Sequence, residues 1–125
     1  MADRSLDRCR ILVVEDEYLL ADEMALELED TGAIVLGPVP SVEQALALLD
    51  GEVPPDGAIL DINLGGETAF PVADVLIGRG VPVLFTTGYD SEAIPERFAH
   101  VLLCEKPVNI RRVTAALGRA IHANA

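Results

Sequence analysis

The chain has 125 residues, a formal net charge of −12 at pH 7 and a hydrophobic fraction of 50%. This length suits one domain with a single core and leaves no room for a second core of similar size. The acidic balance disfavours a nucleic-acid partner, because phosphate backbones are bound by clusters of Lys and Arg. Apolar runs are too short to span a bilayer, and the first ten residues lack the apolar segment of a secretory signal. We therefore expect a cytoplasmic protein that binds neither nucleic acid nor membrane.

Strand and helix patterns alternate in the first half of the chain. Residues 10–14, "RILVV", are apolar after the first position and predict a buried strand, and a helix follows in which Leu or Met recurs every four residues from 20 to 28. A second strand is predicted at 33–37. Ser41, with Gln three residues later, has the spacing of a capping box and predicts the start of a second helix.

The same alternation continues after the second helix. A third strand is predicted at 57–61. A third helix is predicted at about 68–77, with a proline tolerated in its first turn and glycines after its end. The fourth strand is predicted at 81–85.

The last two predicted helices differ in regularity. The stretch 91–99 has a helical pattern, but Pro95 lies in its middle, so this fourth helix should be short or irregular. After a fifth strand at 101–105, Asn109 is the expected cap of a final helix with one apolar stripe. Strands that alternate with helices in this way predict an α/β fold, a parallel sheet with helices on both faces.

Polar residues follow four of the predicted strands, and the carboxyl ends of parallel strands converge at one edge of a sheet. Carboxylates gathered there repel each other unless they are protonated or bind a cation. Oxygen ligands without His or Cys favour Mg²⁺. A lysine and a threonine beside them suit a phosphoryl group, which an aspartate can accept as an acyl phosphate. These residues are Glu15, Asp16, Asp61, Thr86, Thr87, Gly88, Glu105 and Lys106.

Four motifs stand in order at the predicted strand ends, namely "VVED", "AILDINL", "FTTGY" and "EKP". With them the chain resembles the response-regulator receiver domain family over about residues 9–122, and "FTTGY" resembles the Phe-x-Thr-Gly-Tyr motif of a single-domain subgroup. The resemblance implies a flavodoxin-like, doubly wound sheet of five parallel strands in the order 2-1-3-4-5. It also implies a single receiver domain over 1–125, and the start and the soft end of the sequence favour a complete chain. The implied function is that of a phospho-accepting receiver in a bacterial two-component or phosphorelay system.

The resemblance implies a role for each acidic residue. Asp61 looks like the phospho-acceptor. Glu15 and Asp16 look like the acidic pair that binds Mg²⁺ together with Asp61, and the backbone carbonyl of Asn63 is a further expected ligand. Mg²⁺ is the implied cofactor.

The resemblance also implies which residues contact the phosphoryl group. Thr87 aligns with the hydroxyl that moves towards this group, and Lys106 aligns with the lysine that pairs with it. Most family members have an aromatic residue three positions before the lysine, where this chain has Leu103, so the usual threonine–aromatic switch is not expected here. Gly88 and Tyr89 are instead expected to follow Thr87. In the alternative, Tyr89 only covers the pocket.

The implied phosphoryl donor is a histidine kinase or a histidine phosphotransfer protein, and an unknown downstream protein receives the signal. Catalysis would be limited to the phosphorylation of Asp61 and its slow reversal, so an ordinary enzyme is not expected. The alternative is a small Mg²⁺-dependent phosphatase of the haloacid-dehalogenase type. Those enzymes place an aspartate two residues after the nucleophile as general acid, whereas this chain has Asn63, which cannot donate a proton in that way.

Overall fold

The computed structural model describes residues 5–51, 53–88 and 94–123. In this part of the chain the elements are β1 (Arg10–Val14), α1 (Tyr18–Asp30), β2 (Ile34–Val39), α2 (Val42–Leu49), β3 (Gly57–Asp61), α3 (Phe70–Gly78), β4 (Val83–Thr87), a 3₁₀ helix (Glu96–Phe98), β5 (Leu102–Glu105) and α4 (Ile110–Ala123). The strands form one parallel sheet in the order β2-β1-β3-β4-β5. The predicted fold class is therefore confirmed.

The sheet separates two apolar cores, because side chains alternate between its faces. On one face Leu12 and Leu60 pack with residues of α2 and α3, and on the other face Val13 and Ile59 pack with residues of α1 and α4. Every residue of β3 is buried, as expected for a parallel strand covered on both sides. No helix within the described residues combines the length and the apolar character that a membrane span requires.

The strand β4 lies two residues later than the predicted 81–85. The N–H of Val81 donates to the carbonyl of Leu76 at 2.9 Å, so this residue completes the turn that ends α3. Pro82 has no N–H to give to a sheet. The strand therefore begins after Pro82 and includes both threonines, which are β-branched and suit a strand.

The strand β2 also extends beyond the predicted 33–37, because the Gly37-Pro38 pair does not end it. The peptide bond between these two residues is cis, and the register with β1 shifts beside it. A bulge on an edge strand is one of the places where a sheet accepts proline. Gly37 has a φ of +91°, and a Cβ there would lie 2.8 Å from the backbone nitrogen of Val39, so glycine is required.

The predicted helix caps are confirmed at α2 and α4. The side chains of Ser41 and Asn109 each accept a backbone N–H from three residues further on, both at 3.2 Å. The helix α3 begins two residues later than predicted, after an isolated bridge between Asn63 and Thr68.

The predicted fourth helix at 91–99 is described only from Ile94 onward. There the chain forms a single 3₁₀ helix that Pro95 precedes, so the expectation of a short element is confirmed for this part. Arg97 on this helix donates two hydrogen bonds to Asp74 of α3, at 3.0 and 3.1 Å.

An aromatic cluster holds the 3₁₀ helix on the sheet. Phe98 is 2% exposed. Its ring stacks on Phe70 with the centroids 5.2 Å apart and meets the edge of Phe85 at 5.5 Å. Phe85 lies on β4 two residues before Thr87, so this cluster joins the 3₁₀ helix to the strand that leads to the polar edge of the sheet.

We predict that Phe98→Ala lowers the free energy of unfolding by about 3 kcal/mol, because a buried ring is lost and a cavity remains. Leu48→Ala is the control, since Leu48 is 43% exposed on α2, and should change it by less than about 1 kcal/mol. Urea unfolding measures both values. Equal losses in the two variants would show that Phe98 is not packed as described.

Candidate functional site

Strand ends bring acidic, basic and hydroxyl side chains to one edge of the sheet. Glu15 follows β1, Asp61 ends β3, Thr87 ends β4 and Lys106 follows β5. Asp61 pairs with Thr86 in the sheet, and the N–H of Lys106 donates to the carbonyl of Thr87 at 2.7 Å. The order of the strands therefore brings together residues from both ends of the chain.

Lys106 supplies positive charge to this site. Its Nζ lies 3.0 Å from Oδ2 of Asp61 and 3.4 Å from Oε1 of Glu15. A third carboxylate, that of Glu17, lies 2.9 Å from the same nitrogen through Oε2. An ammonium group has three N–H donors, so each donor of Lys106 has a carboxylate acceptor. The peptide bond after Lys106, to Pro107, is cis.

Glu15 and Asp61 are buried carboxyl groups, each 3% exposed. Burial raises the pKa of Glu15 to about 8, and the charge of Asp61 adds to the rise. Burial also raises the pKa of Asp61, although the hydrogen bond from Lys106 acts in the opposite direction. Burial alone would lower the pKa of Lys106, but its bonds to Glu17 and Asp61 outweigh burial and raise that pKa. When both acids are ionised, the site is therefore short of positive charge, which a bound cation would supply.

Glu15, Asp16 and Asp61 are arranged to hold a cation. One carboxylate oxygen from each lies within 4.8 Å of the others. Oε2 of Glu15 is buried and has no hydrogen-bond partner among the described residues, so it is an acceptor that a cation could satisfy. The donor set consists of oxygen alone, and Asp16 is exposed to water. Both properties suit Mg²⁺, which binds a few carboxylates and keeps several waters.

The other predicted site residues are Asn63, Thr87, Gly88 and Tyr89, of which the structure describes the first three. The N–H of Asn63 donates to Oδ1 of Asp61 at 3.2 Å. Thr87 is 4% exposed. Its hydroxyl donates a hydrogen bond to the carbonyl of the next residue, Gly88, at 3.4 Å. Tyr89 lies outside the described residues, and its role stays a prediction.

The sequence predicts no specific contact for two residues of the site, Glu17 and Thr86, although Thr86 is among the polar residues expected at the strand ends. Glu17 contacts Lys106, and the only sequence signal for it is that it is the third acid of the run that begins at Glu15. Thr86 is fully buried, and its hydroxyl has no partner among the described residues. Its place opposite Asp61 in the sheet could be found only once the register of β4 was known.

Leu103 lies on β5 at the position where the sequence resemblance implied an aromatic residue, and it is 46% exposed. It pairs with Phe85 across the β4–β5 ladder. Because side chains alternate along a strand, Phe85 and Thr87 point to the same face, so Leu103 shares that face with the threonine. A leucine there has neither a ring nor a hydroxyl to interact with Thr87.

Comparison with solved structures identifies similar proteins over nearly the whole chain. SdrG from Sphingomonas melonis is 38% identical, with a TM-score of 0.76, and the match covers 94% of this chain and 98% of that one. A response regulator receiver protein from Sinorhizobium medicae has a TM-score of 0.79 at 23% identity, and the match covers 96% of this chain and 99% of that one. The second match supports the fold alone.

Two curated relatives are also similar in sequence. The sensory transduction protein LytT of Bacillus cereus is 36% identical over 88 residues, which are 68% of this chain and 35% of that protein. The phyllosphere-induced regulator PhyR of Methylorubrum extorquens is 30% identical over 114 residues, which are 89% of this chain and 43% of that protein. This chain thus spans well under half of either relative. No family model matches it.

We predict that without metal the protein becomes less stable as the pH rises from about 5 to 9. A carboxyl group whose pKa is higher in the folded state than in the unfolded one stabilises the fold below its unfolded pKa, and this contribution is lost as the pH passes its folded pKa. For Glu15 the two values are about 4.5 and about 8. Glu15→Gln should therefore reduce the slope, and it should be more stable than the wild type at pH 9.

Urea unfolding in a metal chelator measures this dependence, with Glu29→Gln as the control for loss of an exposed carboxylate. One titrating group changes the free energy of unfolding by at most about 1.4 kcal/mol per pH unit. Parallel pH profiles for the wild type and Glu15→Gln would refute the assignment of the slope to Glu15.

Proposed function

The chain belongs to the response-regulator receiver domain family of two-component signalling systems, and we propose that it signals by accepting a phosphoryl group on Asp61. Receiver domains are signalling domains rather than ordinary enzymes. The donor in this proposal is a phosphohistidine of a histidine kinase or phosphotransfer protein. The phosphorylated domain then acts by contact with a downstream protein.

The observation that carries the proposal is the environment of Asp61. Its carboxyl group is buried at the end of the central strand, yet its two oxygens accept hydrogen bonds from Lys106 and from the N–H of Asn63. A carboxylate held in this way has a fixed orientation, and orientation is a large part of what a phosphoryl transfer needs.

The transfer consists of one bond formed and one broken. An oxygen of Asp61 bonds to phosphorus while the bond between phosphorus and the donor's imidazole nitrogen breaks, and that nitrogen keeps the electron pair. The product is an acyl phosphate on Asp61 and a free histidine. The ammonium of Lys106, 3.0 Å from Asp61 in the unphosphorylated protein, neutralises negative charge that develops on the phosphoryl oxygens.

The acidic cluster supports a requirement for Mg²⁺. Glu15, Asp16 and Asp61, with the carbonyl of Asn63, are the residues that would hold the ion. When bound, Mg²⁺ supplies positive charge to the phosphoryl oxygens. Two of the three carboxylates that would hold the ion, those of Glu15 and Asp61, are buried.

Thr87 is proposed to respond to phosphorylation. Its hydroxyl is bonded only weakly, at 3.4 Å, to the carbonyl of Gly88, so a stronger acceptor on Asp61 can compete for it. Movement of Thr87 would carry Gly88 with it and would change the position from which the chain continues towards the 3₁₀ helix. A role for Tyr89 in this movement belongs to the same proposal.

The phosphatase alternative is not supported. The similar proteins described above are response regulators and receiver proteins. The residue two positions after Asp61 is Asn63, whose side-chain Oδ1 accepts a hydrogen bond from the N–H of Gly66 at 3.4 Å. This side chain contributes no acid to a hydrolytic reaction.

Incubation with acetyl phosphate and Mg²⁺ tests the proposal. We expect the intact protein to gain the mass of one phosphoryl group, and hydroxylamine to remove it, because an acyl phosphate is cleaved by this nucleophile. A chelator should prevent the modification. Asp16→Asn should raise the Mg²⁺ concentration that is needed, because one ligand loses its charge.

Two further variants decide where the phosphoryl group goes. Asp61→Asn should not be modified, whereas Asp30→Asn, which alters an exposed aspartate at the end of α1, should be modified as the wild type is. Modification of Asp61→Asn to the wild-type extent would contradict the proposal.

A further inference from the structure

The side chain of Glu17 contacts the site but has no visible role in the fold. Glu17 is the N-cap residue of α1, yet its side chain makes no capping hydrogen bond. Its N–H donates to Oε1 of Glu15 at 3.0 Å, which is a backbone interaction that any residue can make. The partner of its carboxylate is Lys106, at 2.9 Å. The hydrogen bond of the Glu17 carboxylate is therefore made to the lysine and not to the helix backbone.

The ion pair between Glu17 and Lys106 joins the chain after β1 to the chain after β5. Glu17 follows β1 and Lys106 follows β5, and β3 and β4 lie between these strands. Adjacent strands are about 4.8 Å apart, so the two chains are separated by about 14 Å at the sheet. The two long side chains close this distance, and the same Nζ of Lys106 lies 3.0 Å from Oδ2 of Asp61 at the end of β3.

We propose that Glu17 is a positioning residue. Its carboxylate holds the ammonium group of Lys106 in the unphosphorylated protein, and the ammonium group moves from Glu17 to the phosphoryl group when Asp61 is phosphorylated. The inference rests on the proposed function, since it assumes that Asp61 is the residue that becomes phosphorylated. Of the three carboxylates that contact Lys106, that of Glu17 has the shortest distance to Nζ. No covalent step is assigned to Glu17.

The exposure of the three carboxylates decides which of them releases the lysine. The side chain of Glu17 is 60% exposed, whereas those of Glu15 and Asp61 are 1% and 4% exposed. Water can take the place of Lys106 at Glu17, but it has little access to the other two. An uncompensated buried charge is costly, and an exposed one is not. Glu17 is therefore the partner that Lys106 leaves at the lowest cost.

Phosphorylation supplies the competing acceptor. It adds negative charge and oxygen acceptors at Asp61, and the ammonium has only three donors, all of which have acceptors in the resting protein. A new bond to a phosphoryl oxygen therefore requires that an existing one be lost. Glu17 thus lowers the affinity of the site for a phosphoryl group by the strength of its own pair with Lys106.

The size of the effect follows from the exposure of the pair. Partly exposed ion pairs change equilibria by at most about fivefold. Glu17→Gln should therefore tighten the binding of beryllium fluoride, a phosphoryl mimic, by about two- to fivefold in the presence of Mg²⁺. Glu23→Gln is the matched control, because it removes the same charge from an exposed position on the same helix. It should change the affinity by clearly less than Glu17→Gln does.

A spectroscopic readout separates an effect on the lysine from a general effect of charge. Lys106 is the only lysine of the chain, so a protein labelled with ¹³C at lysine Cε gives a single signal for it. We expect Glu17→Gln to shift this signal in the free protein. With beryllium fluoride bound, the signals of wild type and Glu17→Gln should coincide, because Glu17 no longer contacts the lysine in either.

Different outcomes identify different failures. If Glu17→Gln and Glu23→Gln have equal affinities, or if the lysine signals differ as much with the mimic bound as without it, the inference about Glu17 is wrong while the proposed function stands. If the wild type binds the mimic no better than Asp61→Asn does, the proposed function is wrong and the inference fails with it.

Discussion

The ammonium group of Lys106 lies between the carboxyl groups of Asp61 and Glu15, at 3.0 and 3.4 Å, and both acids are almost fully buried. Removing a carboxylate from water costs several kcal/mol unless a partner compensates for it. One ammonium cannot fully compensate two buried carboxylates, and the raised pKa of each acid expresses that shortage. When both acids are ionised, the site therefore carries more negative charge than Lys106 compensates. A bound cation would compensate the remaining negative charge. In the proposed function, a phosphoryl group on Asp61 would compete with the carboxylates for the ammonium group of Lys106.

The parallel sheet makes this arrangement possible. Asp61 ends a strand that is buried on both faces, so its backbone has little freedom to move. Lys106 and Glu15 come from strands on either side, and their separation of 91 residues in the chain has no influence on their distance in the sheet. The cost of burying the acids is offset by the two apolar cores, which hold the strand ends in register.

The connection from the site to the rest of the molecule runs along β4. Thr87 lies two residues after Phe85, and Phe85 belongs to the aromatic cluster that packs the 3₁₀ helix against the sheet. Arg97 and Asp74 fix the other side of that helix. Thr87 at the end of β4 is therefore only two residues from a ring that packs directly against the 3₁₀ helix.

The alternation of apolar and amphipathic segments was sufficient to predict the fold class, and the polar residues after the strands were sufficient to indicate where a site would form. The exact starts and ends of the strands depended on hydrogen bonds, which the pattern of apolar and polar residues does not reveal. β4 starts late because the N–H of Val81 is used by α3, and β2 continues through Gly37-Pro38 because it is an edge strand. The contact of Glu17 with Lys106 depends on the conformations of two long side chains. The acidic run that begins at Glu15 does not specify these conformations.

The most direct measurement is the free energy of unfolding of Lys106→Met against pH in the absence of metal. If Lys106 compensates the buried acids, the variant should be about 3 kcal/mol less stable than the wild type near pH 8, where Glu15 ionises. The loss should be smaller near pH 5, where the raised pKa of Glu15 keeps this carboxyl group largely protonated. A loss that is the same at both pH values, or no loss at all, would contradict the central role of this lysine.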